Sequence, residues 1–272
     1  DLPGKLMQTL EGLKNAVTLV LENMAADGVI YAELRFAPQF HTLDGMTQEE
    51  AVQAAIAGLK DAPIPANLIL CCMRGEGNEK ENEETMMLAK QYLVEDHGVT
   101  AMDLAGAEAL FPTEKYLGLF EKAKAMGIPF TVHAGEAAGP ESVRAAIQTG
   151  TKRIGHGVRS TEDESVVEQI RDRGITLEMC PTSNRQTHAI PDMKQYPLIP
   201  FLESGIRVTV NTDDMGIEQT CLSKEFEYLR REFGLTKAQE KKLLLNAADA
   251  AFASEETKEM LREKILAVYA AD

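Results

Sequence analysis

Residues 128–136 read Ile-Pro-Phe-Thr-Val-His-Ala-Gly-Glu, residues 140–150 follow as a helix-like stretch opened by Pro140 and closed by Gly150, and residues 153–157 read Arg-Ile-Gly-His-Gly. A short β-rich run, a helix bounded by proline and glycine, and a second short run make one strand-helix-strand unit. The same pattern continues outward in both directions. Runs at 29–36, 68–73, 99–104, 175–180 and 206–211 have the apolar, β-branched content of buried strands. Stretches at 48–60, 82–95, 114–126 and 162–174 are helix-like and lie between them. Strands that alternate with helices pair in parallel. The expected fold class is therefore α/β, a (β/α)8 TIM-type barrel, and seven strands are one short of its eight. Because the chain starts at Asp1, the first β/α unit is expected to lie outside it. The rival doubly wound sheet would carry a Gly-x-Gly-x-x-Gly loop after its first strand, and the sequence has none. No Gly/Ser linker interrupts the series, so residues 1–272 are read as one barrel domain, incomplete at its N-terminus.

The periodicity of Leu6, Leu10, Leu13, Val17 and Leu21 predicts a single amphipathic helix over 2–24. At the other end, 223–271 reads as charged helices packed on the outside of the barrel through Phe226, Leu229, Leu243, Leu244, Leu261 and Ile265.

Composition narrows the partners. Lys and Arg number 28 against 43 Asp and Glu, a formal charge of −15, which repels phosphate backbones and anionic lipid. No run approaches the roughly 18 consecutive apolar residues that span a bilayer, and residues 1–10 lack the pattern of a signal peptide. Four cysteines without a Cys-x-x-Cys spacing fit a reducing cytoplasm. With no Trp and six Tyr, stacking platforms for single-stranded nucleic acid are scarce. A small molecule is the expected ligand, with neither nucleic acid nor membrane as a partner; the oligomeric state is not legible.

Polar residues that close apolar strands mark the chemistry. His133 and Glu136 follow one strand, His156 lies between glycines at the end of the next, and Asp213 and Asp214 follow the last. Each has a plain structural reading, as a core histidine or a helix cap. In a barrel, however, all of them fall on the C-terminal face, where active sites are built. Imidazole and carboxylate ligands, joined by a further carboxylate and imidazole for proton transfer, are what metal-assisted hydrolysis requires.

Six stretches in order, Glu33-Leu-Arg-Phe-Ala-Pro38, Asp103-Leu-Ala-Gly-Ala-Glu108, Val132-His-Ala-Gly-Glu136, Arg153-Ile-Gly-His-Gly157, Cys180-Pro-Thr-Ser-Asn184 and Asn211-Thr-Asp-Asp214, resemble the motifs of adenosine deaminases. The resemblance implies a zinc-dependent hydrolase of the amidohydrolase superfamily. It would convert adenosine and 2′-deoxyadenosine to inosine-type products plus ammonia in purine salvage. It also implies roles: His133 and Asp213 as zinc ligands, Glu136 as the proton donor to purine N1, and His156 as the residue that orients and helps deprotonate the attacking water. Asp214 would accept from the N7 side, and the backbone of Gly106 would lie near N3. The alternatives are a sister deaminase acting on adenine, an aminofutalosine-like nucleoside or a modified adenosine, and a non-catalytic adenosine-binding remnant. The family's His-x-His pair, which supplies two further zinc ligands, does not occur in this chain, and Ala107 and Met215 stand where an acidic residue and a proline are common. The cytidine-type zinc deaminases are set aside, since their His-x-Glu and Pro-Cys-x-x-Cys pattern is absent.

Other residues receive structural readings. Cys71-Cys72, Met86-Met87 and the alanine-rich 246–253 are read as packing. Glu33 and Arg35, two apart on one strand, point to one face and are expected in an internal ion pair. His41, His97 and His188 are expected in solvent.

Overall fold

The computed structural model describes residues 2–270. Seven strands are found among them, each within or close to a predicted run: β1 Ala32–Phe36, β2 Ala66–Met73, β3 Val99–Ala105, β4 Thr131–Ala134, β5 Arg153–His156, β6 Thr176–Met179 and β7 Arg207–Val210. Every pairing is parallel, in a three-stranded sheet β1-β2-β3 and a four-stranded sheet β4-β5-β6-β7. Parallel strands alternating with helices are the α/β architecture of the TIM-type class, as expected. The chain divides into two compact units. One gathers the residues up to Gly106 with Leu119–Phe130 and Phe252–Thr257; the other gathers Ala107–Gly118, Thr131–Ala251 and the residues from Lys258 onward.

In the first unit the predicted helix over 2–24 is two helices, Leu2–Leu6 and Leu10–Ala26. Thr9 separates them: its backbone is extended and its hydroxyl accepts from the Gly12 amide, so it caps the second helix. The Val29 amide donates to Met24 O, closing the helix C-terminus, so the first strand begins at Ala32 instead of residue 29. Thr47 and Glu50 form a reciprocal capping box on Gln48–Lys60. That helix packs on Leu10–Ala26 through Gly58, where a Cβ would lie 2.6 Å from Lys14 O and 2.7 Å from Val17 Cβ, so only glycine lets the two backbones close.

β2 is buried over seven of its eight residues, as a strand covered on both faces must be. Cys71 and Cys72 lie in it; burial and the charge of Asp103 push the Cys72 thiol far up, which suits packing and not reactivity. Arg35 forms an internal ion pair across the sheet with the buried Asp103 on β3, at 2.9 Å. Glu33 accepts from Tyr31 and from the Phe252 amide. Two further expectations are corrected. His41 is buried, with Nδ1 2.7 Å from Met7 O, while His97 and His188 are exposed as expected. Met86 packs in the core but Met87 is exposed, because adjacent helical residues point about 100° apart.

In the second unit the strands are four residues long and their helices are set by end signals. Pro140 opens Pro140–Thr149 and Gly150 ends it in the left-handed region, while Asp163 caps Glu164–Asp172. β4 starts at Thr131 instead of residue 128, since Pro129 and Phe130 pair with Met102 in the first unit. Beneath the strand ends lies a buried ion pair: Glu178 on β6 accepts from the Arg153 guanidinium on β5 and from the Thr131 hydroxyl on β4. The expected C-terminal helices are Leu222–Phe233, Lys237–Ala250 and Glu255–Ala270. Phe226, Leu229, Leu243, Leu261 and Ile265 are buried as predicted, and Leu244 is only half-buried. Asn246 ties its helix to β7 by donating to Val208 O.

Candidate active site

Parallel strands deliver their C-terminal ends to one side of a sheet. His133 is the next-to-last residue of β4, His156 is the last of β5, and Asp213 follows β7 by three residues. After β4 the backbone turns at Gly135, with φ +74, and a Cβ there would lie 2.4 Å from Val143 Cγ2. Conformation and space both demand glycine, and the turn aims Glu136 back across the strand ends. His156 and Asp213 are themselves left-handed, at φ 61 and φ 54, although neither is glycine. Such residues cost on the order of 1–3 kcal/mol each and gather where structure serves a site.

The three side chains converge. His156 is 1% exposed; its Nε2 lies 3.4 Å from Glu136 Oε2 and 3.7 Å from Asp213 Oδ2. On the far side of the ring the Asn184 amide donates to Nδ1 at 3.0 Å, and Asn184 Oδ1 accepts from the Tyr196 hydroxyl at 3.0 Å. A nitrogen that accepts at Nδ1 holds its proton on Nε2, facing the two carboxylates. The His133 ring stands 5.1 Å from that of His156, centroid to centroid. Thr187 donates to Glu136 Oε1, leaving Oε2 for the centre of the site.

The carboxyls crowd one another. Burial, then the charges of Asp213 and Glu136, push Asp214 above the usual carboxylate range, against a downward pull from His133. Glu218 is pushed up to about 7 by burial and the charge of Asp213, with a Ser183 hydrogen bond opposing. Because the folded chain holds the Glu218 proton more tightly than the unfolded chain, stability falls as pH rises from the ordinary 4.5 through about 7. In protein stripped of metal by a chelator, Glu218→Gln is therefore expected to raise the melting temperature at about pH 8 and leave it unchanged at about pH 4. Calorimetry at the two pH values checks this.

Of the residues singled out from sequence, His133, Glu136, His156, Asp213 and Asp214 all lie in the second unit and face one another at these distances or through these charges. Gly106 lies in the first unit, at the end of β3 with φ +105 and with Met73 and Arg74 against it. Four contributors escaped the sequence reading: Glu108, Asn184, Thr187 and Tyr196. Glu108 and Asn184 stood inside recognised motifs without a role, and Tyr196 carried no signal.

A donor set for a metal is present. One ligand atom each from His156, Cys180 and Asp213 lies within 4.8 Å of the others, and the His133 imidazole is adjacent. Nitrogen, sulfur and carboxylate donors suit a borderline-soft divalent ion such as zinc. Beside Glu136 opens a cavity of about 450 Å³, also lined by Arg159, Glu162, Thr187 and His188.

The chain as a whole is similar to known proteins. A family model described as adenosine deaminase matches residues 1–268. An adenosine deaminase from Haemophilus ducreyi is 49% identical over 267 residues, covering 96% of this chain and 78% of that protein. Among solved structures, the apo N6-methyl-AMP deaminase of Arabidopsis thaliana superposes with a TM-score of 0.89 at 27% identity, over 98% of this chain and 81% of that one. The adenine deaminase of Arthrobacter aurescens gives 0.88 at 26% identity, over 96% and 80%.

Proposed function

This chain belongs to the adenosine deaminase family, hydrolases of C–N bonds in cyclic amidines, and from that premise we propose that it converts adenosine and 2′-deoxyadenosine to inosine and 2′-deoxyinosine. Water adds at purine C6, the C6–N bond breaks, and ammonia leaves. The observation that carries this reading is the convergence of Glu136, His156 and Asp213 on one point.

We assign a zinc ion to His133 and Asp213; when bound, zinc supplies an attacking water whose pKa is lowered from 15.7 to about 7. Glu136 is assigned as the proton donor to purine N1, which draws electron density from C6. Thr187, bonded to Oε1, keeps that carboxyl from rotating away. His156, fixed by Asn184, points its Nε2–H into the site, so it orients the attacking oxygen as a hydrogen-bond donor; the deprotonating role expected of it needs the tautomer whose proton sits on Nδ1. For Asp214 the expected direction reverses: N7 of a neutral purine offers a lone pair, so Asp214 bonds there only as a protonated donor. The Gly106 backbone is assigned to the N3 side, and purine salvage in the cytoplasm is the setting.

The test is ammonia release from adenosine, 2′-deoxyadenosine and adenine, and methylamine release from N6-methyl-AMP, side by side with zinc supplied. Ammonia from the two nucleosides, exceeding turnover of the others, is the expected result. Preference for adenine or N6-methyl-AMP would reassign the substrate. Adenosine binding without ammonia release would make the protein a binder.

A further inference from the structure

The turn that carries Glu136 is gripped from both polarities of its backbone. On the N–H side, the Glu108 carboxylate is 4% exposed and accepts from four successive amides: Gly135 at 2.6 Å on Oε1, and Glu136, Ala137 and Ala138 at 3.1, 2.7 and 2.9 Å on Oε2. Successive amides that point inward form a nest for an anion, and here the chain fills it with its own side chain. On the C=O side, the Arg159 guanidinium donates to Ala137 O and its amide to Gly135 O. Glu162 holds that guanidinium in place with two further bonds, and the charge of Glu108 favours its protonated form. Without a counter-charge, four amides of one turn that point at the same spot would be left to water or to each other's repulsion.

We infer that Glu108 is a positioning residue for the deamination reaction: by occupying the amide nest it fixes where the Glu136 carboxyl meets the purine, with Arg159 bracing the opposite side of the turn. This rests on the function proposed above. A carboxylate suits the nest because both oxygens accept; an amide of the same shape turns an N–H toward N–H donors, so Glu108→Gln disturbs the turn while adding no bulk.

The experiment pairs kinetics with amide hydrogen exchange. Glu108→Gln is expected to lower kcat about 100-fold, the scale of a misplacement of about 1 Å, with KM changed by no more than about two-fold. Exchange of the amides over 135–138 is expected to rise at least about ten-fold while that of β5 stays constant. In a Glu136→Gln background the same substitution is expected to cost less than about two-fold more, since a positioning residue has nothing left to position. Glu108→Asp, which keeps both acceptor oxygens, is expected to recover part of kcat. Losses that multiply in the double variant, or exchange that is unchanged over 135–138, would overturn the inference. Should Glu108→Gln fail to fold, Arg159→Ala loosens the same turn from its carbonyl side, and unchanged exchange there would overturn it equally. The exchange measurement needs no turnover, so an enzyme inactive on adenosine would defeat the proposed function and leave this result readable.

Discussion

Glu136→Gln is expected to lower kcat for adenosine by about 10³-fold while leaving metal content and KM nearly unchanged. The carboxyl lies 3.4 Å from His156 and has its second oxygen held by Thr187, so the amide replaces it without a change of shape. What the amide lacks is an acidic proton. General acid catalysis by a placed side chain contributes about 10²–10⁴-fold, and an N1 that stays unprotonated leaves C6 a weak electrophile. Metal content by elemental analysis separates the two roles open to a carboxylate in this position. A variant that keeps its metal and loses its rate identifies a proton donor. A variant that loses its metal moves Glu136 among the ligands, and one that keeps its rate removes it from the chemistry.

The second large effect concerns stability. Glu178→Leu is expected to destabilise the fold by about 3–5 kcal/mol, because it leaves the Arg153 charge buried without the carboxylate that balances it. Arg153 and Glu178 are 7% and 3% exposed, and Thr131 donates to the same carboxylate, so three adjacent strands are tied through one acid. Removing both charges is a different matter. Arg153→Met combined with Glu178→Leu is expected to recover most of the loss, since an apolar pair of similar volume avoids the desolvation that the ion pair must offset. Urea unfolding of the two variants decides the point; equal loss in both would show that Thr131 and the strand packing, not the charge balance, set the cost.

Much of this was legible in the residues. The strand runs and helix caps act within a few positions of one another, so proline before a helix, glycine after it and alternating apolar content located every strand to within a few residues. Where the reading slipped, a nearby hydrogen bond had decided: Thr9 divided the first helix, and Val29 closed a helix end before it could begin a strand. His133, Glu136, His156, Asp213 and Asp214 were visible because ionisable groups at the ends of apolar strands are costly to bury and need a shared reason.

Sequence by itself determined the alternation of strand and helix, the excess of acid, the six motifs in order and the residue types of the site, all of which follow from local propensity and composition. Tertiary structure alone decided which polar groups meet. Glu108 seated in the amides of another turn, Asn184 and Tyr196 setting the proton of His156, and Arg35 meeting Asp103 across the sheet are contacts between residues far apart in the chain. Hydrogen bonds depend on distance and direction, and neither is encoded in spacing once the chain has turned between one residue and the next.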